Sequence, residues 1–442
     1  MARSASFDGR YGRMFRRLSP FAPTDAAVGA LADSMADLPG PEGDNPDIPA
    51  GYTYFGQFVD HDITFDPVSA LDRVNDPDAL TDFRTPRFDL DSVYGRGQAD
   101  SPYLYDQDDL ASMLIGKNTG VEDEPVDLPR NQQGRALIGD PRNDVHFIVS
   151  QLHLAVLRFH NAVVDSLRFQ SDPESLFDDA RRMVTWHYQW IVVHDFLARL
   201  VGPDVLGEVF TKAKKTGKAS ARLTYFTWKT QPFLPVEFTA AAYRFGHSMV
   251  RPEYRINDTL EVLPILTDIR VANRLQHLGG FRVLPKGWTV QWKHFFPLSS
   301  EAPQLSRRID TRLCDPLRSL PPALDDARRS LGMINMLRGR ALQLPSGQAV
   351  AKAMGTTVAA KKLRLTDETP LWFYLLRESE VVADGTRLGP TAGRIVAEVL
   401  VGLLSGDPSS FLRQQPDWTP TLPSAEKGTF TLPDLLRFAG VA

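Results

Sequence analysis

Apolar residues recur along this chain with the period of helices. Between residues 141 and 170, Ile148, Leu152, Val156, Phe159, Val163 and Leu167 repeat at close to 3.6 residues. One face is therefore apolar, and a long amphipathic helix is predicted. The stretch 174–202, rich in Trp, Val and Ile, reads as a second long helix. Further helices are predicted over 52–63, 236–250 (closed by Pro252), 322–343 and 389–405. Residues 1–50 read instead as an irregular arm, because the run from Leu38 to Asp47 is dense in turn formers. Strand patterning is scarce, with Thr289-Val290-Gln291-Trp292 as a candidate. Prolines interrupt 408–442 until a last apolar turn at Leu432 to Phe438. The pattern shows no internal repeat, low-complexity tract or linker. It predicts a mainly α fold with very little β: an arm over 1–50, then one domain over 51–442 with long ordered loops.

Composition narrows the function classes. The net charge of -4, from 50 basic and 54 acidic side chains, gives no basic footprint for nucleic acid. The single cysteine, Cys314, excludes an intrachain disulfide and any Cys-based zinc or iron–sulfur site. No run of about 18 apolar residues is present, so no membrane span is expected. The start, MARSASFDGRYGRMFRRLSPFAP, lacks the apolar run of a secretory signal. That points to the cytoplasm or to export by a non-classical route.

Several segments carry candidate chemistry. On a helix over 52–63, Gln57, Asp60 and His61 share one face among Phe55, Phe58 and Val59. Asp140-Pro141-Arg142 looks like a helix start with Asp140 as cap and Pro141 at the first position. Arg142 then opposes the helix dipole, which suggests a task beyond helix stability. Arg244 and His247 are three apart in a segment rich in small residues, leaving room for something flat near the backbone. There an imidazole can bind iron while a guanidinium meets a propionate. Asn335, among apolar neighbours, can accept the second N–H of such an imidazole. Asp62, Thr85, the Arg87 carbonyl, Asp89 and Asp91 offer hard oxygen ligands of the kind Ca²⁺ takes. Taken singly, these read more readily as a polar helix stripe, a surface Arg, a core His, a buried amide and an acidic turn.

Together the segments resemble the animal-type haem peroxidases of the peroxidase–cyclooxygenase superfamily. GQFVDHD is similar to the distal helix motif, TPRFDLDSVYG to the calcium loop, and GDPRND followed by LHLAVLRFHN to the catalytic arginine segment. AYRFGHSMVRP resembles the proximal histidine helix, and INMLRGR the later Asn/Arg segment. They follow family order between residues 51 and 340. The resemblance implies a helical domain around a central haem b. His61 would be the distal acid–base, Arg142 the peroxide-polarising cation, and Gln57 the holder of a distal water or halide. His247 would ligate the iron with Asn335 behind it, and Arg244 and Arg338 would meet propionates. Asp62, Thr85, Arg87, Asp89 and Asp91 would bind Ca²⁺. The implied partners are hydrogen peroxide and a small reducing substrate.

Two departures bear on the substrate. Mammalian members often carry two haem esters, one from an Asp beside the distal His and one from a Glu three residues after the catalytic Arg. Asp60 matches the first place, but Val145 occupies the second. His146 stands where one mammalian branch has a sulfonium-forming Met. A weaker oxidant is implied, suited to bromide, iodide, thiocyanate and phenols rather than chloride. A fatty-acid dioxygenase or cyclooxygenase of the same superfamily is the nearest rival. Its radical Tyr would stand three residues before the proximal His, where this chain has Arg244, with Tyr243 turned about 100° away on a helix. A non-catalytic haem-binding protein is the other rival, although His61 and Arg142 are both kept. The remaining histidines, His146, His153, His160, His187, His194, His277 and His294, are expected to be structural or on the surface.

Overall fold

The computed structural model describes residues 9–38, 40–65, 81–82, 84–116, 127–266, 276–320 and 330–442. The fold is mostly helical around one continuous apolar core. The long period-3.6 stretch forms a helix, Phe147–Leu167, preceded by a separate 3-10 turn, Pro141–Asp144. His146 separates the two, and its Nδ1 accepts the Val149 N–H (3.3 Å) as an N-cap. The helix is long and apolar enough to cross a bilayer, but 83% of that window is buried inside the fold. Phe147, Ile148, Leu152, Phe159 and Val163 are almost wholly enclosed. Each such side chain contributes roughly 1.5–3 kcal/mol over leaving it in water.

The second long stretch differs from a single helix. Leu176–Trp190 is α-helical, Ile191–Leu197 widens to a π-helix, and Ala198–Val209 follows. Within that last piece Gly202 takes φ 77°, which breaks the helix ahead of Pro203. Pro390–Gly406 packs across this region, beside Leu371–Ala383.

Three expectations are corrected. Residues 236–250 do not form one helix. A short α turn, Val236–Thr239, gives way at Ala241 (φ -136°, ψ -74°) to a 3-10 helix, Ala242–His247. The Arg244 Nε–H takes the Thr239 carbonyl (2.9 Å), the acceptor that a continuing α-helix would give to Tyr243. Thr289–Trp292 is not a strand: Gln291 N–H donates to the Ile256 carbonyl (2.8 Å) and Val290 N–H approaches Gln151 Oε1 (3.4 Å), so no strand neighbour receives them. The helix expected over 322–343 runs Leu331–Ala341, and residues 321–329 lie outside the described residues.

The leading residues are also more regular than their turn formers suggest. Gly9–Gly12 (β1) pairs in parallel with Leu234–Pro235, and Asp44–Pro49 pairs with Leu305–Arg307. A helix, Asp25–Asp33, lies between, capped by Thr24. The buried Glu237 carboxylate accepts the N–H groups of Met14 (3.1 Å) and Phe15 (3.0 Å), tying this segment to the short α turn Val236–Thr239.

Candidate active site

The helix Gly51–Ile63 carries the expected polar face. It sits close to its neighbours because two glycines allow it: a Cβ on Gly51 would meet the Phe296 ring at 2.1 Å, and one on Gly56 the Phe196 ring at 2.9 Å. Gln57, Asp60 and His61 all border one cavity of about 430 Å³. Arg244, Gly246 and His247 line the same cavity. Because a 3-10 helix has three residues per turn, Arg244 and His247 lie nearly one above the other. A Cβ on Gly246 would meet nothing within 4 Å, so open space lies over the backbone here.

His61 is buried and held from behind. Its Nδ1 lies 2.8 Å from Asn143 Oδ1, and Asn143 Nδ2 lies 3.0 Å from His153 Nδ1. An amide oxygen only accepts, so the His61 proton sits on Nδ1 and Nε2 keeps its lone pair. Burial and the nearby Arg142 push the His61 pKa down to about 4, which leaves a neutral ring at neutral pH.

His247 is half-buried, on the lining of the same cavity. Burial, Arg244 and Arg338 lower its pKa to about 3, so the imidazole is neutral and fit to ligate a metal. The Asn335 amide lies 2.8 Å from its Nδ1 through Nδ2, and the buried Oδ1 of Asn335 has no partner among the described residues. A half-turn of that amide would put Oδ1 on a protonated Nδ1 and free the His247 Nε2 lone pair.

A recess of about 160 Å³ adjoins the cavity and is bordered by Asp60, Arg142, Arg244, Arg338 and Tyr11. Burial and Arg338 hold the Arg244 pKa down to about 10. The recess is half-buried, and its three arginines outnumber its one carboxylate, Asp60.

Arg142 borders both spaces, and its surroundings answer the question of its unfavourable place at a helix start. Its guanidinium donates to Asp140 Oδ2 (2.8 Å), to the His61 carbonyl (3.1 Å) and to the Thr64 carbonyl. Those carbonyls close the helix Gly51–Ile63, whose negative dipole end suits a cation. The Arg142 guanidinium also lies 4.9 Å from the Phe65 ring centroid. Its partner carboxylate stays ionised: the hydrogen bond and charge of Arg142 outweigh burial and lower the Asp140 pKa to about 2.

The oxygen-rich loop also gathers. One carboxylate oxygen each of Asp62, Asp89 and Asp91 lies within 4.8 Å of the others. Burial and the Asp89 charge push the Asp62 pKa up to about 7 and that of Asp91 well up. Thr85 Oγ1 donates to Asp89 Oδ2 (2.7 Å), and the Arg87 side chain reaches Asp407 (3.9 Å). Leu90 sits among them at φ 57°, a conformation that is uncommon without a fixed environment.

Sequence reasoning passed over four residues. Asn143 links two histidines, and His146, expected to be structural, borders the cavity with its Nε2 2.8 Å from Gln57 Oε1. Asp140 was read only as a cap. Arg84 joins two sites, donating to Asp91 (3.1 Å) and Asp140 (2.8 Å). A signal for Asn143 and His146 was their place beside Arg142, but no periodicity shows which way such residues point. Val145 also borders the cavity, where the resemblance puts an ester-forming Glu.

A helical fold whose cavity is lined by two neutral histidines, beside a recess bordered by Arg142, Arg244 and Arg338, has the residue types that hold a metal-centred, acid-bearing group. Comparison with known proteins gives the particular family. Residues 75–371 match the model of the animal haem peroxidases, and the chain belongs to that family. It is 25% identical over 316 residues to a peroxidase-like protein of Margaritifera margaritifera, covering 63% of this chain and 38% of that one. It is 26% identical over 287 residues to mouse eosinophil peroxidase, covering 58% and 36%. The chain thus spans under two fifths of those relatives' length. In fold it is similar to peroxidase A of Dictyostelium discoideum, with a TM-score of 0.65, 15% identity, and 97% of this chain and 95% of that one covered. It is also similar to a fatty acid alpha-dioxygenase of Arabidopsis thaliana, with a TM-score of 0.62, 15% identity, and coverage of 95% and 74%.

Proposed function

We propose that this protein is a haem peroxidase that reduces hydrogen peroxide at the expense of bromide, iodide, thiocyanate or small phenols. The observation that carries the reading is the pair of neutral histidines, His61 and His247, lining one cavity, each with an amide side chain at its Nδ1. The residues fit haem b: His247 as ligand, the partnerless Asn335 oxygen behind it, open space over Gly246, and Arg244 with Arg338 for the propionates. Haem would supply the iron that receives peroxide and takes up the oxidising equivalents.

The chain's own contribution is proton handling and electrostatics. His61 Nε2 takes a proton from one peroxide oxygen and delivers it to the departing one. Asn143 keeps that nitrogen unprotonated at rest by holding the proton on Nδ1. Arg142 brings positive charge to the bond that breaks. Gln57 binds the distal water or a halide, with its oxygen turned toward His146. Asp60, which borders the cavity, would supply one ester, and Val145 has no carboxylate for a second. Ca²⁺ would be held by Asp62, Thr85, the Arg87 carbonyl, Asp89 and Asp91, offsetting the mutual repulsion of the carboxylates.

Fatty acid alpha-dioxygenases and a peroxidase share this fold alike, so the fold does not choose between the two readings. Against the dioxygenase reading, Arg244 stands three residues before His247, and Tyr243 gives its hydroxyl to the Gly56 carbonyl (3.2 Å). Stopped-flow absorbance of haem-loaded protein mixed with hydrogen peroxide, with and without bromide, tests the proposal. A fast Soret change reversed by bromide or a phenol supports it. No change in a haem-loaded sample rejects it.

A further inference from the structure

A larger cavity, about 920 Å³, adjoins the recess of Arg244 and Arg338 through Tyr11. One wall is the segment from Arg10 to Leu18, and the other runs from Tyr225 to Phe233. Its charge is of one sign. Arg10, Arg13, Arg16, Arg17 and Lys229 line it, and the described lining residues include no carboxylate. This is out of keeping with a chain whose net charge is -4. Arg13 is committed to the carbonyls of Leu342 (2.9 Å) and Gln343 (3.0 Å). Arg10, Arg16, Arg17 and Lys229 are exposed and have no ion-pair partner among the described residues.

The remaining surface is aromatic. Tyr11, Phe15, Tyr225, Trp228 and Phe233 contribute to the walls. Phe15 and Tyr225 have ring centroids 6.3 Å apart, and the Arg16 guanidinium lies 5.9 Å from the Phe233 ring centroid. The walls are fixed rather than loose. β1 is paired with Leu234–Pro235, Glu237 holds the N–H groups of Met14 and Phe15, and a Cβ on Gly12 would meet the Phe233 ring at 2.6 Å.

The position of this cavity gives it meaning. Tyr11 lines it and also lines the recess that holds Arg244 and Arg338. Tyr11 is thus common to the basic cavity and to the edge of the proposed cofactor site. The volume lies in the range of sites for small organic molecules and far exceeds what an inorganic anion fills. Aromatic walls favour a flat ring, and unpaired cations favour a negative group on it.

We propose that this cavity binds phenolic carboxylates and presents them as reductants to the adjoining cofactor site, across Tyr11. The use made of the bound molecule rests on the peroxidase reading, whereas the binding does not. Two phenolic carboxylates each lose one electron and the phenolic proton, and one hydrogen peroxide becomes two waters. The carboxylate stays on the cations throughout.

The test uses 4-hydroxycinnamate and its neutral analogue 4-hydroxycinnamyl alcohol with the haem-loaded full chain. Calorimetry is expected to show the anion binding at least tenfold more tightly than the alcohol, and more tightly than inorganic phosphate. The exposed pair Arg16→Glu and Arg17→Glu should abolish that preference. It should also lower kcat/KM for the anion relative to the alcohol at least tenfold. Equal binding of the anion and the alcohol, or of the anion and phosphate, overturns the site. Selective binding with an unchanged kcat/KM ratio in the variant overturns its role as a donor site. Lack of peroxidase turnover with every donor would reject the peroxidase reading instead, while calorimetry still reports on the cavity.

Discussion

The Nδ1 of His61 is 2.8 Å from the Asn143 side-chain oxygen, and that contact decides which ring nitrogen of His61 remains a base. The same amide reaches His153 (3.0 Å), so two buried histidines are set by one side chain. Asn143→Leu is predicted to free the ring to rotate or change tautomer. The second-order rate with hydrogen peroxide should fall about 10- to 100-fold, the usual effect of losing an orienting partner. Asn143→Asp keeps the acceptor for His61 and should lose less. His61→Ala should lose roughly 10²- to 10⁴-fold, as for removal of a general acid–base group. Stopped-flow kinetics at a fixed haem content separates the three, and an unchanged rate in Asn143→Leu removes Asn143 from this role.

In the same cavity, His247 and Asn335 make a second imidazole–amide pair (2.8 Å). His247→Ala is predicted to lose most of its haem, read as Soret absorbance per mole of purified protein. Asn335→Leu should keep haem but hold it about 10- to 100-fold more weakly, because the imidazole loses the group that orients it. Transfer of haem to an excess of apomyoglobin measures the difference. A normal Soret band in His247→Ala would show that the ligand lies elsewhere.

The helices that carry periodic apolar faces were legible in the sequence because burial imposes that period. Ile148 to Leu167 and the polar stripe Gln57, Asp60 and His61 are both found on helices as expected. What escaped were features set by side chains taking backbone acceptors. The helix expected over 236–250 fails because the Arg244 guanidinium occupies the Thr239 carbonyl, a contact that no pattern of hydrophobicity encodes. The leading arm looks irregular because its strand Gly9–Gly12 is too short for alternation to register, and its partner Leu234–Pro235 lies far along the chain. Residue types and order brought His61, Arg142, Gln57, His247 and Asn335 into view. The contacts of Asn143, His146 and Arg84 required coordinates.

Arg84 also links the acidic loop to Arg142, through Asp91 (3.1 Å) and Asp140 (2.8 Å). Filling the loop with Ca²⁺ is therefore expected to affect both stability and the distal side. Calcium at about 100 times its dissociation constant should stabilise the fold by roughly 2.7 kcal/mol over the calcium-free protein. Asp62→Asn should blunt that gain and slow the reaction with peroxide. Thermal melts across a calcium titration provide the check, with magnesium as control. A melting temperature independent of calcium would remove the ion from the site.

Glu378 offers a prediction about pH that does not involve the cavity. Its buried carboxylate accepts the Thr391 N–H (2.8 Å) and hydroxyl (2.6 Å), holding the start of the helix Pro390–Gly406. Burial nevertheless outweighs these bonds and raises its pKa to about 7 from the usual 4.5. The folded state therefore keeps a proton that the unfolded state releases. Between pH 4.5 and 7 the folded state binds more protons, so stability from this group is complete below 4.5 and is lost as pH rises through 7. The gap limits the loss to about 3 kcal/mol at 1.36 kcal/mol per pKa unit. Asp82, raised to about 8, and Asp310, raised to about 6, both by burial, add slopes of the same sign. The comparison with Glu378→Gln isolates the one residue, since Gln does not titrate. Urea unfolding at pH 5, 6, 7 and 8 should show the wild type losing more stability across this range than the variant. Parallel curves would mean that Glu378 is already ionised in the fold at pH 5 and that the bonds to Thr391 dominate.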